Sequence, residues 1–307
     1  MRESINGVLL LNKPVGITSN AALQKAKWLL NARKAGHTGT LDPFADGLLP
    51  LCFGEATKFS AYLLDADKHY RAVQQLGIAT TTGDPEGDVL STHEVSASCA
   101  DISAVLPRFR GEIEQIPPMH SALKHQGRPL YEYARAGIEI DRPPRKVTIR
   151  SLEIIECAPP RVVLDVQCTA GTYIRTLAQD IGAVLGCGAH LTALTRTAVA
   201  GFNLEQAHTL AELEALDPSL RQALLMPADC LVAHLPAVQL DAANAEALCQ
   251  GRSVAYPVAE AGLTRVYTTS HSFLGLAHAE ADHLIPHRLI ATQPALQDGR
   301  TGFRLST

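Results

Sequence analysis

Three side chains have the types and neighbours that chemistry needs: Asp42, Tyr70 and Arg175. Asp42 lies between Leu41 and Pro43 in HTGTLDPFADGLLP, residues 37–50, a glycine-flanked turn followed by an apolar run. Asp-Pro is a common turn dipeptide, because Asp hydrogen-bonds its own backbone and Pro sets the next φ. A plain loop is therefore one reading, and a held nucleophile is the other. Taken alone, an Asp nucleophile suggests a hydrolase such as a phosphatase. That chemistry needs a second acid nearby for Mg²⁺, and Asp46, itself in a Gly turn, is a poor candidate.

Arg175 opens the segment TYIRTLAQDIGAVLG, where Ile174, Leu177, Ala178, Ile181 and Leu185 recur at helical spacing. Thr172 is the expected N-cap. A capping box wants Glu or Gln three residues later, yet Arg175 stands there. A cation in the first turn also faces the positive end of the helix dipole, an effect of a few tenths to about 1 kcal/mol. Two readings follow: a solvent-exposed Arg, or an anion held jointly by the guanidinium and the helix-terminal N–H groups. Tyr70, in the strand-like KHYRAVQQLG, is either core packing or an aromatic face presented to a ligand.

The elements that must position these residues read as follows. Val8–Leu11 is a short strand, and a turn with Pro14 and Gly16 leads to a helix capped at Ser19 or Asn20. LLPLCF is a buried strand, EATKFSAYLLDA a helix, KHYRAVQQLG a strand, TTTGDPEGD a polar turn and RVVLDVQC another strand. Residues 116–146 are rich in proline, tyrosine and basic residues and poor in core-formers. They read as a long excursion, partly helical around Pro129–Gly137, and such loops in compact domains are usually functional. After residue 232 an acidic helix and short runs (RVYTT, SFLGLAHAEA, HRLIAT) suggest a small β-rich domain, a barrel or compact sandwich.

The 307 residues suffice for one large domain or a large and a small one. No apolar run is long enough to span a bilayer or to form a signal-peptide core, so a cytoplasmic protein is expected. The seven cysteines, none closer than eleven residues to the next, fit neither a zinc knuckle nor a disulfide framework. Buried small hydrophobes in a reducing compartment are expected. The net charge is −4 but uneven. Lys and Arg outnumber Asp and Glu by seven to four over residues 1–60 and by nine to five over 105–150, whereas over 205–260 they are outnumbered two to eight. A polyanion would meet the first two-thirds of the chain, and the acidic stretch reads as a solvated helical face.

Five blocks occur in one order: LNKPVGITS (11–19), GHTGTLDPFADGLLPLCFGEATK (36–58), KHYRA (68–72), the IPPMHSALKHQGRPLYEYAR stretch and GTYIRTLAQDIG (171–182). Together they resemble the TruB family of tRNA pseudouridine-55 synthases over most of residues 5–202. The tail, with QGRSV, SFLGLA and LIPHRLI, is similar to the PUA-like domain of bacterial members. The resemblance implies an α+β fold: a pseudouridine synthase core with a mixed, mainly antiparallel sheet flanked by helices, plus a small C-terminal β-rich PUA-like domain. The implied domains are 1–232 and 233–307, with an RNA-clasping excursion at about 117–146. It also implies isomerisation of one flipped-out uridine in the T loop of tRNA, no metal or organic cofactor, and a monomer with tRNA as its partner.

Carried over residue by residue, Asp42 matches the family's catalytic aspartate, Arg175 the arginine that pairs with it, and Tyr70 the active-site tyrosine. A neighbouring Arg would lower the Asp42 pKa and keep it ionised, and the pair would supply the negative charge missing from the helix start. Tyr70 would stack on the extruded base. Leu194 matches the apolar wall of the base pocket, and His37 the histidine that fills the space left by the flipped base. Lys13 and Pro14 match a block that buttresses the active-site loop. Lys124, Arg128, Arg145 and Lys146 of the excursion, together with Arg196, are candidates for phosphate contacts, which position RNA without reading it. Thr195 stands where relatives often carry another basic residue, leaving Arg196 alone. A non-catalytic tRNA-binding or tRNA-folding protein on the same scaffold is the competing reading, and intact Asp42, Tyr70 and Arg175 argue against it.

Overall fold

The computed structural model describes residues 2–257 and 260–290. Ala291 and Thr292 of HRLIAT, and the rest of the expected C-terminal domain beyond them, lie outside the described residues. Two compact units form, Met1–Met226 and a second that starts at Pro227. Among the described residues no helix is long and apolar enough to cross a membrane.

The first unit is built on a ten-stranded sheet. Its main path runs His208–Thr209, Gly7–Lys13, Asp46–Phe53, Ala189–Val199, Lys68–Leu76, Arg161–Cys168, Arg145–Ala158 and Gly111–Gln115. All neighbours on that path are antiparallel except two: Gly7–Lys13 with His208–Thr209, and Asp46–Phe53 with Ala189–Val199. This is the mixed, mainly antiparallel sheet expected of an α+β fold. The parallel contact pairs Gly47 with Arg196. Gly47 has φ +101°, and a Cβ there would lie 2.4 Å from the Arg196 carbonyl oxygen, so only glycine lets the two strands meet.

The helix Ser19–Leu29 is capped by Thr18, whose hydroxyl accepts from Ala21 N, one residue before the expected cap. Ala22, Leu23, Ala26 and Leu29 form its buried stripe. The helix expected over EATKFSAYLLDA splits into a 3₁₀ turn, Gly54–Phe59, and one α turn, Ala61–Leu64. Lys68 closes the second of these: its buried ammonium donates to the carbonyls of Leu63, Leu64 and Ala66 at the C-terminal end of the turn. The helix Ile174–Val184 buries Ile174, Leu177, Ala178 and Ile181, and Gln74 ties it to the sheet by donating to Ala178 O at 3.0 Å.

The excursion has its own small elements: a two-residue ladder, Lys124–His125 against Arg128–Pro129, and a helix, Leu130–Arg135. It ends where Arg145 begins the long strand Arg145–Ala158. The acidic stretch is not one helical face. Its acids act singly, Glu212 and Asp241 at helix starts and Asp229 as acceptor from Tyr267 Oη.

The cysteine expectation fails at one pair. Cys99 and Cys157 form a disulfide with Cα atoms 5.9 Å apart, while Cys52, Cys168 and Cys187 are buried. The two partners are 58 residues apart and meet because the helix Cys99–Val105 packs on the strand Arg145–Ala158, a contact invisible to local spacing.

The second unit is a five-stranded sheet in the order Ala237–Leu240, Gly262–Thr268, Phe273–Glu280, His283–Leu289, Val254–Ala255. Leu240, Leu248, Val266, Leu274 and Leu284 fill its core.

Candidate active site

Asp42 is held by its neighbours before any charge is considered. The buried Ser19 hydroxyl donates to Leu41 O at 3.0 Å and accepts from Leu41 N at 2.8 Å. Gly16 N donates to Pro43 O, and Ala45 N closes the turn onto Asp42 O. Lys13 is fully enclosed, its ammonium donating to Pro14 O and Ile17 O, so it braces this loop and cannot reach a ligand. Burial lowers its pKa to about 8.

The guanidinium of Arg175 meets the turn from the far side. Its Nε lies 3.0 Å from Asp42 Oδ2, and its Nη1 lies 3.2 Å from Asp84 Oδ2. The same group donates to Thr82 O at 3.0 Å and to His120 O at 2.6 Å. The pair expected between Asp42 and Arg175 is therefore formed. Arg175 and Asp84 are sealed, with side chains 4% and 3% exposed, whereas Asp42 is 35% exposed. Asp42 is thus the member of this trio that faces outward.

One electrostatic expectation holds only in part: Arg175 does lower the Asp42 pKa, but burial outweighs it. Burial is the largest influence on Asp42 and raises its pKa; Arg175 opposes this, while the Asp84 charge adds to it. Two carboxylates sharing one guanidinium leave Asp42 only partly compensated.

A cleft of about 330 Å³ lies over Asp42, within the size range of small-molecule sites. Its walls include Tyr70, Leu194, Lys68 and Arg175 from the core and Ser121–Leu123 from the excursion. Burial raises the Tyr70 pKa, against the Arg196 charge. His37 is half-buried with a pKa lowered by burial, and its Nδ1 has no partner.

Arg196 departs from expectation. It is 1% exposed, its Nε donates to Leu48 O at 2.7 Å, and it stands in the cleft wall beside Tyr70 and not on the outer surface. Its strand position explains this: residues of Ala189–Val199 alternate, and Leu194 and Arg196 point inward together. The excursion cations also differ among themselves. Arg128 pairs with Glu132 and stacks on Tyr133, and Lys146 pairs with Glu112. Lys124 and Arg145 are exposed, have no ion pair among the described residues, and line a hollow of about 100 Å³ with Arg142.

Asp84, Thr82 and Arg142 were not singled out by the sequence reading. A signal for Asp84 was present, because GDPEGD repeats the grammar of the Asp42 turn: Asp-Pro between glycines. Asp84 caps its own turn, accepting from Thr82 Oγ1 and Glu86 N. The expected N-cap is also displaced. Thr172 donates to Thr169 O instead, and Tyr173 takes the cap position without a side-chain cap.

Comparison with known proteins gives a consistent picture. Residues 27–174 match the model of the TruB family pseudouridylate synthase N-terminal domain. Residues 175–233 match the tRNA pseudouridylate synthase B C-terminal domain, and 236–290 the C-terminal domain of pseudouridine synthase II TruB. The chain is 74% identical to tRNA pseudouridine synthase B of Thiobacillus denitrificans over 294 residues, 96% of this chain and 99% of the relative. It is 57% identical to the protein of that name from Chromobacterium violaceum, over 95% of this chain and 97% of the relative. Among solved structures, one described as an H/ACA RNP bound to a substrate RNA containing 2'-deoxyuridine superposes with TM-score 0.69 at 26% identity, covering 93% of this chain and 85% of the other.

Proposed function

This chain belongs to the TruB family of pseudouridylate synthases and is an isomerase acting on tRNA, and we propose that its target is uridine 55 in the T loop, with Asp42 as nucleophile. The observation that carries the reading is the Asp42–Arg175 pair on the floor of a cleft walled by Tyr70 and Leu194. The uridine flips out of its stack at a cost of a few kcal/mol, and His37 fills the space it leaves. The base lies between the Tyr70 ring and Leu194. The N1–C1′ bond breaks while the Asp42 carboxylate meets the electron-poor centre. The uracil turns, C5 bonds to C1′ as the Asp42 carboxylate leaves that carbon, the C5 proton departs and N1 takes one up, so composition is unchanged. Arg175 keeps Asp42 aimed and favours its ionised form against the burial that disfavours it.

In this reading residues 1–232 form the catalytic domain and 233–307 a PUA-like RNA-binding domain. The enzyme works as a cytoplasmic monomer, and Lys124 and Arg145 meet phosphates of the T arm. The test is incubation with an unmodified tRNA transcript and site-resolved detection of pseudouridine. One modified position, uridine 55, is expected; modification elsewhere, or none, overturns the assignment.

A further inference from the structure

The strand Gly111–Gln115 lies at the sheet edge and is exposed or half-exposed except at its last residue, Gln115, which is 2% exposed. A buried amide is costly unless it is bonded on both sides. Gln115 Oε1 accepts from Tyr173 N at 3.0 Å, and its Nε2 donates to Tyr173 O at 3.3 Å. Tyr173 is the N-cap of the helix that carries Arg175, and no side chain of its own segment caps that helix. The Gln115 amide therefore holds both peptide groups of the cap residue, two positions before Arg175.

Gln115 is also the root of the excursion. It pairs in register with Arg145, so both legs of the excursion leave the sheet at one point. Five residues beyond it, His120 O accepts from Arg175 Nη2. The geometry points to Gln115 as a positioning residue that sets the helix start, and through it the aim of Arg175 Nε at Asp42. It touches neither Asp42 nor the cleft, and it acts through Arg175. This inference rests on the reading of Asp42 and Arg175 as the catalytic pair.

Gln115→Met keeps the volume and removes both bonds, and Gln115→Glu, which keeps the acceptor for Tyr173 N, serves if the first variant fails to fold. Small misplacements of a catalytic group cost up to about a hundredfold in rate. A roughly tenfold to hundredfold loss in the single-turnover rate of pseudouridine formation is expected, with tRNA affinity held within about threefold. The decisive arm repeats the substitution in an Arg175→Lys background, where the planar fork to be aimed is already gone. There it should cost less than about threefold more. An equal loss in both backgrounds, a loss of affinity in place of rate, or an unchanged rate overturns the positioning role alone. A wild-type rate in Arg175→Lys itself overturns the catalytic pair, and this inference with it.

Discussion

Asp84 and Arg175 form a 3.2 Å ion pair in which both side chains are almost completely enclosed, while the opposite edge of the guanidinium holds the half-open Asp42. The relationship assigns different work to two carboxylates on one arginine. Asp84 is satisfied by Thr82 Oγ1 and Glu86 N and anchors the cation from behind. Asp42 has burial and a like charge against its ionised form, and Arg175 and, less strongly, Lys13 in its favour. Such a carboxylate is under electrostatic tension that a developing positive charge on substrate would relieve.

Asp42→Asn should abolish pseudouridine formation, by about 10⁴-fold or more as for other nucleophile deletions, while tRNA affinity changes little. The pH dependence has a definite sign. The folded Asp42 pKa is raised, so activity is lost as pH falls through that raised value. Removing Arg175 removes the chief force opposing the rise, so the acid limb of an Arg175→Met variant should move to higher pH; the remaining charged groups around the carboxyl are Asp84, Lys13 and Glu86. For stability the sign is the reverse. An ionised Asp42 costs stability above its folded pKa, and the cost fades as pH drops below it. Asp42→Asn should therefore be no less stable than the wild type at neutral pH in thermal unfolding.

Asp84→Ala should behave differently. Removing one partner of an enclosed pair leaves a buried charge under-compensated, at about 3 kcal/mol. Both the thermal midpoint and the single-turnover rate should fall, because the rear anchor of Arg175 is lost. A variant that keeps its stability and loses only tRNA affinity would show that Asp84 serves the RNA surface instead.

The residues that could be recognised in the sequence were those held by local grammar. The Asp42 turn, the helix start with a misplaced cation, and the strand carrying Tyr70 each announce themselves within about ten residues. What could not be recognised depends on sheet order. Arg196 looks like a surface cation until its strand is placed against Asp46–Phe53, with its side chain inward beside Tyr70. Gln115 looks like one polar residue in a polar strand until Tyr173 is brought beside it. The Lys68 ammonium closes a helical turn by folding back on it, which no propensity scale foresees. Thr172 is not the cap for a related reason: the helix is capped at Tyr173, whose backbone is held by Gln115 from 58 residues upstream.

The Cys99–Cys157 link closes a loop of 58 residues, for which chain-entropy reasoning gives about 4 kcal/mol of stabilisation. Reduction, or Cys99→Ser, should lower the thermal midpoint by several degrees. Neither cysteine lines the cleft, so the rate at a temperature well below the midpoint should be unchanged. An identical midpoint with and without reductant would mean that the two sulfurs are not joined in solution.

The excursion cations separate into two classes that a binding assay can distinguish. Lys124 and Arg145 lie exposed around the same hollow as Arg142. Arg128 is held by Glu132 and Tyr133, and Lys146 by Glu112. Each phosphate contact releases about one counterion, so its loss reduces the slope of log affinity against log salt by about 1. Lys124→Ala and Arg145→Ala should each weaken tRNA binding and flatten that slope. Arg128→Ala and Lys146→Ala should do so less, because their charges are already answered within the protein. Arg196→Ala should leave the slope alone and destabilise the fold, since its guanidinium is enclosed. Equal slopes for all four excursion variants would mean that RNA breaks the Arg128 and Lys146 pairs on docking. The excursion would then rearrange on binding, and the amide protection of residues 117–146 with and without tRNA would differ accordingly.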